Sequence, residues 1–283
     1  MKPIIKYRGG KSKEIPLFEK YIPQTFDTYY EPFLGGGAVY FYLAPKKAIL
    51  NDINQRLMTF YSEIRDDYET AREQLDLLQG IYEDNQKEYM NHKKQNPDKR
   101  VENKNEDLYY QIRDMFNHKI PLDYLESTVY YFINKTAYSG MIRYNAQGDY
   151  NVPFGRYQNF NTQLITNEHH ELLEGAKLLV GDYTVPFQMA TENDFMFLDP
   201  PYDCVFNDYG NISFENGFDE SEHRRLAAAF KKLKCKALMV IGKTALTEEL
   251  YGEYIIDEYF KSYAVNIRNR FKSESKHIIV ANY

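Results

Sequence analysis

Two uninterrupted apolar segments in the C-terminal half constrain the fold of this chain more than any other feature. FMFL at 195–198 and ALMVI at 237–241 lack the polar–apolar alternation of a half-buried strand. Continuous apolar strands are typical of parallel sheets that helices cover on both faces. DESEHRRLAAAFKKL at 219–233 lies between them, with the acidic start and basic end that suit a helix dipole. This region therefore predicts a strand, a helix and a second strand of an α/β sheet.

Similar segments occur near both ends of the chain. TYYEPF at 28–33 and KAIL at 47–50 are strand candidates, with the helix candidate VYFYLA between them. KLLVGDY at 177–183 and HIIVANY at 277–283 are further strand candidates. Together these segments predict an α/β fold, with one doubly wound, mainly parallel sheet built from both ends of the chain.

The middle of the chain has a different period. Residues 85–107 are strongly polar, which predicts an exposed, mobile excursion at the tip of a helical region. YNAQGDYNVPFG at 144–155 has hairpin chemistry. We predict that 1–54 and 162–283 form the sheet domain and that 55–161 is an inserted, mostly helical domain carrying a β-hairpin. Helical spacing is shown by Leu57, Phe60, Tyr61, Ile64, Tyr68, Leu75 and Leu78.

Composition excludes several classes of protein. No stretch approaches the roughly eighteen apolar residues that span a bilayer. The N-terminus lacks the apolar core of a signal peptide, and two cysteines cannot build a disulfide framework. These features predict a cytoplasmic protein. The net charge is −6, but residues 1–20 and 261–277 are locally basic, which suits either a nucleic-acid groove or an ordinary solvated surface.

DPPY at 199–202 predicts a rigid corner directly after an apolar strand. Proline cannot donate a hydrogen bond to a sheet and it fixes the backbone, so the chain leaves the sheet at Asp199. The carboxylate of Asp199 and the ring of Tyr202 are thereby held in a fixed relation. A turn that serves only connection more usually contains glycine, asparagine or a single proline. The pattern favours a functional corner over a plain tight turn.

EPFLGGG at 31–37 follows the first strand and opens a helix. Glycines at such a position let the backbone approach a ligand. The spacing differs from the dinucleotide fingerprint G-x-G-x-x-G, so a nicotinamide or flavin role is weakly supported. Asp52 ends the next strand, where a carboxylate accepts hydrogen bonds from ribose hydroxyls or caps the following helix. The two features together indicate a ligand that contains adenosine.

Other chemistries lack their sequence patterns. A P-loop requires a glycine five positions before Gly10, and Ile5 stands there. The six histidines have no metal-ligand spacing and no cysteine cluster accompanies them, so we predict no metal site. There is no G-x-S-x-G motif, and Cys204 is better explained as a packing residue than as a nucleophile.

Taken in order, these motifs resemble the Dam-type adenine-specific DNA methyltransferases of the D12 class. The resemblance covers most of the chain and leaves about 62–125 without specific motifs. It implies a Rossmann-like methyltransferase fold, S-adenosylmethionine as the methyl donor and double-stranded DNA as the partner. The motifs that carry it are YRGGK at 7–11, EPFLGGG at 31–37, ND at 51–52, GDY at 181–183, DPPY at 199–202, RYNAQGDYNVPFGRY at 143–157 and VANY at 280–283.

The resemblance also implies a catalytic arrangement. The exocyclic amine of adenine is a poor nucleophile because its lone pair is delocalised into the ring. Asp199 and the carbonyl of Pro200 would accept its two hydrogens and direct the lone pair at the sulfonium methyl, while Tyr202 stacks on the base. The adenine would have to flip out of the duplex to reach this pocket. The cofactor site would comprise Tyr7, Lys11, Gly35, Gly37, Asp52, Asp182, Tyr183 and Asp199, with Asp182 holding the adenine of the cofactor and Tyr183 packing nearby.

By the same resemblance the inserted domain reads the DNA sequence, which we expect to be GATC or a related short site. Tyr138 would fill the position that the flipped base vacates. Arg143, Asn145 and Pro153 would reach base edges, and Arg156 would contact phosphate. The simpler alternatives are that Tyr138 belongs to the core and that Arg156 pairs with a local acid.

Two alternatives to a DNA adenine methyltransferase remain open from the sequence. The first is methylation of adenine in RNA or of a protein amide, since D-P-P-Y also occurs in such enzymes. The second is a DNA-binding protein with an inert methylase fold. The sequence specifies no oligomeric state, and it is compatible with a phage, a restriction–modification or a housekeeping role.

Overall fold

The computed structural model describes residues 1–140, 142–202, 218–262 and 274–283. Cys204 and the basic residues Arg268, Arg270 and Lys272 lie outside the described residues. In chain order the helices and strands are α1 (Ile15–Phe18), β1 (Tyr29–Glu31), α2 (Ala38–Leu43), β2 (Ala48–Asp52), α3 (Gln55–Asp66), α4 (Tyr68–Gln95), α5 (Lys104–Phe116), α6 (Glu126–Thr136), α7 (Asn167–Glu174), β3 (Ala176–Val180), α8 (Thr184–Met189), β4 (Phe195–Leu198), α9 (Glu220–Phe230), β5 (Lys236–Gly242), α10 (Ala245–Tyr251), β6 (Ile255–Ser262) and β7 (Glu274–Ala281). Single 3₁₀ turns cover Glu19–Tyr21, Tyr138–Gly140 and Gly252–Tyr254.

The chain divides into two compact units. Unit 1 consists of Met1–Gly10 and Gln55–Glu174, and unit 2 of Lys11–Asn54 and Gly175–Tyr283. The predicted insertion begins at the same residue as the long segment of unit 1 and ends at residue 161. The assignment of a function to each domain stays a prediction.

Unit 2 contains a seven-stranded sheet with the order β3-β2-β1-β4-β5-β7-β6 in the described part of the chain. The strands from β3 to β5 pair in parallel, and β7 runs antiparallel to both of its neighbours. The predicted α/β class with a mainly parallel, Rossmann-like sheet is therefore confirmed. The edge strand β6 was not predicted, because its sequence IIDEYFKS mixes polar and apolar residues.

Burial explains why the central strands could be recognised in the sequence. All four residues of β4 are buried, and so are five consecutive residues of β5. Helices cover these strands, and Leu226 and Phe230 of α9 pack in the same hydrophobic cluster as Met196 and Met239. Such a cluster is the main source of stability for a parallel sheet.

Unit 1 is mostly helical and has an aromatic core. Tyr82 of α4 packs edge-on against Phe132 of α6, and Phe132 packs against Phe160. The polar region at 85–107 differs in part from the prediction, since α4 continues to Gln95 and α5 begins at Lys104. Only 96–103 connect the two helices. The predicted hairpin takes the form of two isolated antiparallel bridges, Ala137 with Phe154 and Tyr144 with Tyr150.

Candidate active site

The order of the strands in unit 2 gives a topological switch point between β1 and β4. The chain proceeds from β1 to β2 on one side and reaches β4 on the other, so the strand order reverses between β1 and β4. Open α/β sheets bind ligands at the carboxyl ends of the strands at such a point. Here EPFLGGG follows β1 and DPPY follows β4, so both motifs lie at this switch point.

The glycine-rich turn after β1 has a backbone that only glycine adopts easily. Gly35 has φ of +48° and Gly37 has φ of +64°, both in the left-handed region. A Cβ atom on Gly37 would lie 2.9 Å from the ring of Phe41. Gly37 precedes α2 directly, so the amino end of this helix follows the turn. The turn therefore presents bare backbone at the predicted cofactor site.

Asp52 fastens this turn to the end of β2. One carboxylate oxygen accepts the N–H of Gly35 at 2.9 Å, and the other accepts the N–H of Asn54 at 2.9 Å. The pKa of Asp52 is raised because the group is buried, although these backbone donors oppose the shift. Asn51 completes the arrangement, since its side-chain amide donates to the carbonyls of Pro32 and Gly181 at 3.0 Å each. The ends of β1, β2 and β3 are thus joined at one edge of the sheet.

Asp199 forms an ion pair with Lys11 at the end of β4. The ammonium nitrogen of Lys11 lies 2.6 Å from Oδ1 and 2.7 Å from Oδ2 of Asp199. Lys11 is 2% exposed and the side chain of Asp199 is 21% exposed. Burial raises the pKa of Asp199, and Lys11 opposes that shift. The same ammonium lies 5.1 Å from the ring centre of Tyr202, so the structure brings together three residues that the sequence predicted.

The residues after β3 form a second charged contact. The carboxylate of Asp182 accepts hydrogen bonds from the amide and hydroxyl of Thr184, at 2.9 Å and 2.5 Å. It also accepts from both terminal nitrogens of Arg225, at 3.2 Å and 2.7 Å. Burial alone would raise the pKa of Asp182, but Arg225 and Thr184 lower it to about 2.

Aromatic rings surround this second contact. The ring of Tyr183 is buried and lies 5.1 Å from the ring of Phe33, which belongs to the glycine-rich segment. The guanidinium of Arg225 lies 4.5 Å from the ring centre of Tyr183. Arg225 was not predicted, because a charged residue on an amphipathic helix carries no local signal of such a role.

Glu31 is a buried acid of the site that the sequence analysis did not single out. It is 3% exposed, and its Oε2 accepts from the hydroxyl of Tyr29 at 2.7 Å and the N–H of Tyr40 at 3.1 Å. Burial raises its pKa to about 8, and the nearby charges of Asp199 and Asp52 add to the effect. Glu31 could have been found from the sequence, because a glutamate at the end of a buried strand, directly before a glycine-rich turn, is a candidate site residue.

The remaining predicted residues lie in unit 1. Tyr7 precedes the turn in which the N–H of Gly10 donates to its carbonyl at 3.2 Å. Tyr138 is 52% exposed, so it does not belong to the core. Its N–H donates to the carbonyl of Pro153 at 2.9 Å, which places two of the predicted DNA contacts side by side.

Arg143 is exposed and is held by Asn151 across the antiparallel segment. Its Nε donates to the side-chain oxygen of Asn151 at 2.7 Å, and an Nη donates to the Asn151 carbonyl at 3.2 Å. Asn145 shapes the turn between them, since its side-chain oxygen accepts from the amides of Gln147 and Asp149. Arg143 therefore projects from a braced segment.

Arg156 follows the same segment and has a left-handed backbone with φ of +53°. Its guanidinium lies 3.3 Å from the carboxylate of Glu106. Because both groups reach solvent, such a pair contributes little to stability. Arg156 therefore does pair with a local acid, as the simpler alternative expects. Its side chain is still accessible to a phosphate.

Two kinds of feature are absent from the described residues. No group of three or more histidine, cysteine, aspartate or glutamate side chains is arranged to hold a metal ion there. None of the described helices combines the length and the apolar character needed to cross a membrane.

The sequence is similar to one known family and to several known proteins. The family model of the D12 class N6 adenine-specific DNA methyltransferases matches residues 7–266. The type II methyltransferase M.CviBI of Paramecium bursaria Chlorella virus NC1A is 36% identical over a 291-residue alignment that covers 100% of both chains. The type II methyltransferase M.MjaIII of Methanocaldococcus jannaschii is 31% identical, covering 89% of this chain and 87% of its own. A DNA adenine methylase of Salmonella typhi is 25% identical over 95% of this chain and 88% of its own.

The fold, the family match and these relatives define an α/β methyltransferase that acts on DNA. The chain belongs to the D12 class of N6 adenine-specific DNA methyltransferases. The substrate is therefore adenine in DNA rather than RNA or a protein amide, and the protein is an enzyme rather than an inert binder.

Proposed function

We propose that this enzyme transfers a methyl group from S-adenosylmethionine to the exocyclic amine of an adenine that is flipped out of a duplex, in GATC or a related short site. The observation that carries the proposal is the pair of Asp199 and Lys11 at the end of β4, beside the glycine-rich turn. An acceptor for the amine hydrogens and a cofactor cradle thus occupy the same edge of the sheet. We also propose that the enzyme works in the cytoplasm of a bacterial or phage-infected cell, in association with the nucleoid.

The residues around Asp199 suit the activation of an amine. Burial raises the pKa of Asp199, and the ion pair with Lys11 opposes that rise by favouring the ionised carboxylate, which acts as an acceptor only. Each carboxylate oxygen retains a lone pair besides the one that faces Lys11, and that lone pair is available to an N–H of the substrate. The carbonyl of Pro200 is the second acceptor that we propose. Pre-positioned acceptors of this kind lower the barrier without reorganisation during the reaction.

The donor groups of unit 2 fit an adenosine-containing cofactor. Asp52 has the position of a ribose acceptor, and Asp182 with the rings of Phe33 and Tyr183 offers a carboxylate and aromatic surface for an adenine. S-adenosylmethionine supplies an activated methyl group when it is bound. We propose that Lys11, Gly35, Gly37, Asp52, Asp182 and Tyr183 bind and orient the cofactor, and Tyr7 stays a predicted member of the same set.

We expect Asp52→Ala to weaken the binding of S-adenosylmethionine about tenfold while DNA binding changes less, because the ribose loses its acceptor and the Gly35 turn loses its anchor. Isothermal titration of the free enzyme measures the dissociation constant. Asp194→Ala is the matched control: Asp194 is also buried and also accepts backbone amides, from Thr28 and Thr191, but at the amino end of the strands. Equal losses in both variants would return Asp52 to a purely structural role.

We expect Arg225→Ala to raise the dissociation constant of S-adenosylmethionine severalfold, because Asp182 loses the partner that fixes its carboxylate and Tyr183 loses the cation on its ring. Arg224 provides the control on the same helix. It pairs with Glu220 and Glu249 instead and has a similar exposure. If Arg224→Ala and Arg225→Ala bind the cofactor equally well, Asp182 and Arg225 do not take part in the site.

The DNA site can be determined without assuming it. Genomic DNA from a strain that lacks adenine methylation is incubated with the enzyme and S-adenosylmethionine, and methylated adenines are mapped by single-molecule sequencing. We expect one short motif, GATC or a relative of it, with methyl groups only on adenine. Incubation without the cofactor is the control. Methylation of other bases, or of adenines without any shared motif, would contradict the proposal.

A further inference from the structure

A group of buried polar residues beside the site has no part in the chemistry proposed above. Glu14 is 5% exposed and His277 is fully buried. One oxygen of Glu14 accepts from the hydroxyl of Tyr259 at 2.6 Å and lies 2.9 Å from Nδ1 of His277. The ammonium of Lys261 pairs with the other oxygen. We call these four residues the Glu14 cluster.

The cluster is held together by charge. Burial alone would raise the pKa of Glu14, but His277, Lys11, Lys261 and Tyr259 together lower it to about 2. Glu14 is therefore ionised at neutral pH. A buried carboxylate is costly unless its partners are in place, so the cluster fixes the segment before α1 against β6 and β7.

Two contacts connect the Glu14 cluster to the candidate active site. The ring of His277 meets the ring of Tyr202 edge-on, with 5.0 Å between ring centres and an angle of 80°. The backbone N–H of Glu14 donates to the carbonyl of Lys11 at 2.7 Å, and Lys11 is the residue that pairs with Asp199.

A residue of β5 also lies beside the ring of Tyr202. His277 pairs with Gly242 in the register of β7 and β5. A Cβ atom on Gly242 would lie 3.7 Å from the ring of Tyr202, which is ordinary van der Waals contact. The ring of Tyr202 thus lies beside two residues that are paired across β5 and β7, Gly242 and His277.

We propose that His277, held by Glu14, is a positioning residue for methyl transfer: it sets the plane of Tyr202 against which the target adenine stacks. An apolar side chain would fill the same space without the cost of a buried charge, so the polar cluster is better explained by the orientation that it imposes. The inference rests on the proposed role of Tyr202 at the flipped base.

A double-mutant cycle tests the inference. We expect His277→Leu to lower kcat at saturating DNA and cofactor at least tenfold, at a temperature where circular dichroism shows the variant to be folded. In the Tyr202→Leu background the same substitution should change kcat less than twofold, because the ring that it positions is gone. His223→Leu is the control, since His223 is also fully buried but meets Phe218 rather than Tyr202. Whatever its size, the effect of His223→Leu on kcat should be the same in the wild-type and the Tyr202→Leu background.

A second readout follows the base itself. In a duplex with 2-aminopurine at the target position, stacking on Tyr202 should quench the fluorescence of the flipped base. His277→Leu should leave the fluorescence of the bound duplex higher than with the wild-type enzyme, and Tyr202→Leu should do the same. Should His277→Leu fail to fold, Glu14→Gln takes its place and is expected to lower kcat and to show the same lack of additivity. Glu258→Gln is then the control, because Glu258 of β6 pairs at an exposed site with two lysines, Lys243 directly after β5 and Lys276 of β7.

The possible outcomes separate the two claims. If Tyr202→Leu retains full activity, the proposed role of Tyr202 fails. If Tyr202→Leu is impaired but the effect of His277→Leu multiplies with it, or if His277→Leu keeps the wild-type kcat, the positioning role fails and the proposed function stands.

Discussion

Asp199→Ala should reduce kcat for methyl transfer about 10³-fold, which corresponds to roughly 4 kcal/mol of barrier. The carboxylate is the acceptor that we assign to the amine hydrogens, and loss of one preorganised group at a reacting centre typically costs 10²- to 10³-fold. Single-turnover assays with labelled S-adenosylmethionine and a duplex measure the rate. Retention of more than about a tenth of the wild-type rate, a loss under ~1.4 kcal/mol, would remove Asp199 from the reaction.

Asp199→Ala also removes the counter-charge of Lys11, so its effect on stability must be measured separately from its effect on the rate of methyl transfer. Lys11 is 2% exposed, and a buried cation that loses its counter-charge lowers the free energy of unfolding. Asp199→Asn keeps the shape and one carbonyl acceptor, and should lose less stability while remaining slow. Asp194→Asn, at the opposite end of the same strand, controls for the removal of a buried charge. Thermal melting of all three variants shows whether activity and stability change together.

The parts of the fold that could be predicted are those with a local signal. Strands β4 and β5 are buried on both faces, so their apolar runs identify them directly. DPPY and EPFLGGG mark strand ends because proline and glycine restrict or free the backbone there. Because each motif follows the carboxyl end of a strand in a parallel sheet, both motifs are expected at the same end of that sheet.

The parts that could not be predicted depend on distant pairs or on a polar surface. Lys11 and Asp199 are 188 positions apart, and Glu14 and His277 are 263 positions apart. No local pattern specifies such a pair. The polar sequence at the end of α4 predicts an exposed excursion because it lacks an apolar face, yet its Glu, Gln and Lys residues readily continue an existing helix.

Arg143→Ala should cost roughly 1–3 kcal/mol of DNA affinity at the correct site and relax the preference for the guanine that we assign to it. Arginine binds the major-groove edge of guanine with two hydrogen bonds, and Asn151 braces this side chain through Nε. The side chain of Arg143 is exposed, so its guanidinium can reach a base. Competition binding against duplexes with one changed base pair measures the preference, and an unchanged preference would rule out this reader.

Arg156→Ala should fail in a different way, because we assign Arg156 to the phosphate backbone. A phosphate contact carries no sequence information, so affinity should fall for all duplexes alike, and the slope of log K against log salt should become shallower by about one. Glu106 competes for the same guanidinium, at 3.3 Å. Glu106→Gln should therefore strengthen binding to every duplex modestly, and it should have no effect once Arg156 is removed. If Arg156→Ala instead alters the base preference and leaves the salt dependence unchanged, the assignment of Arg156 to phosphate is wrong. Arg156 would then be the residue of unit 1 that reads the DNA sequence.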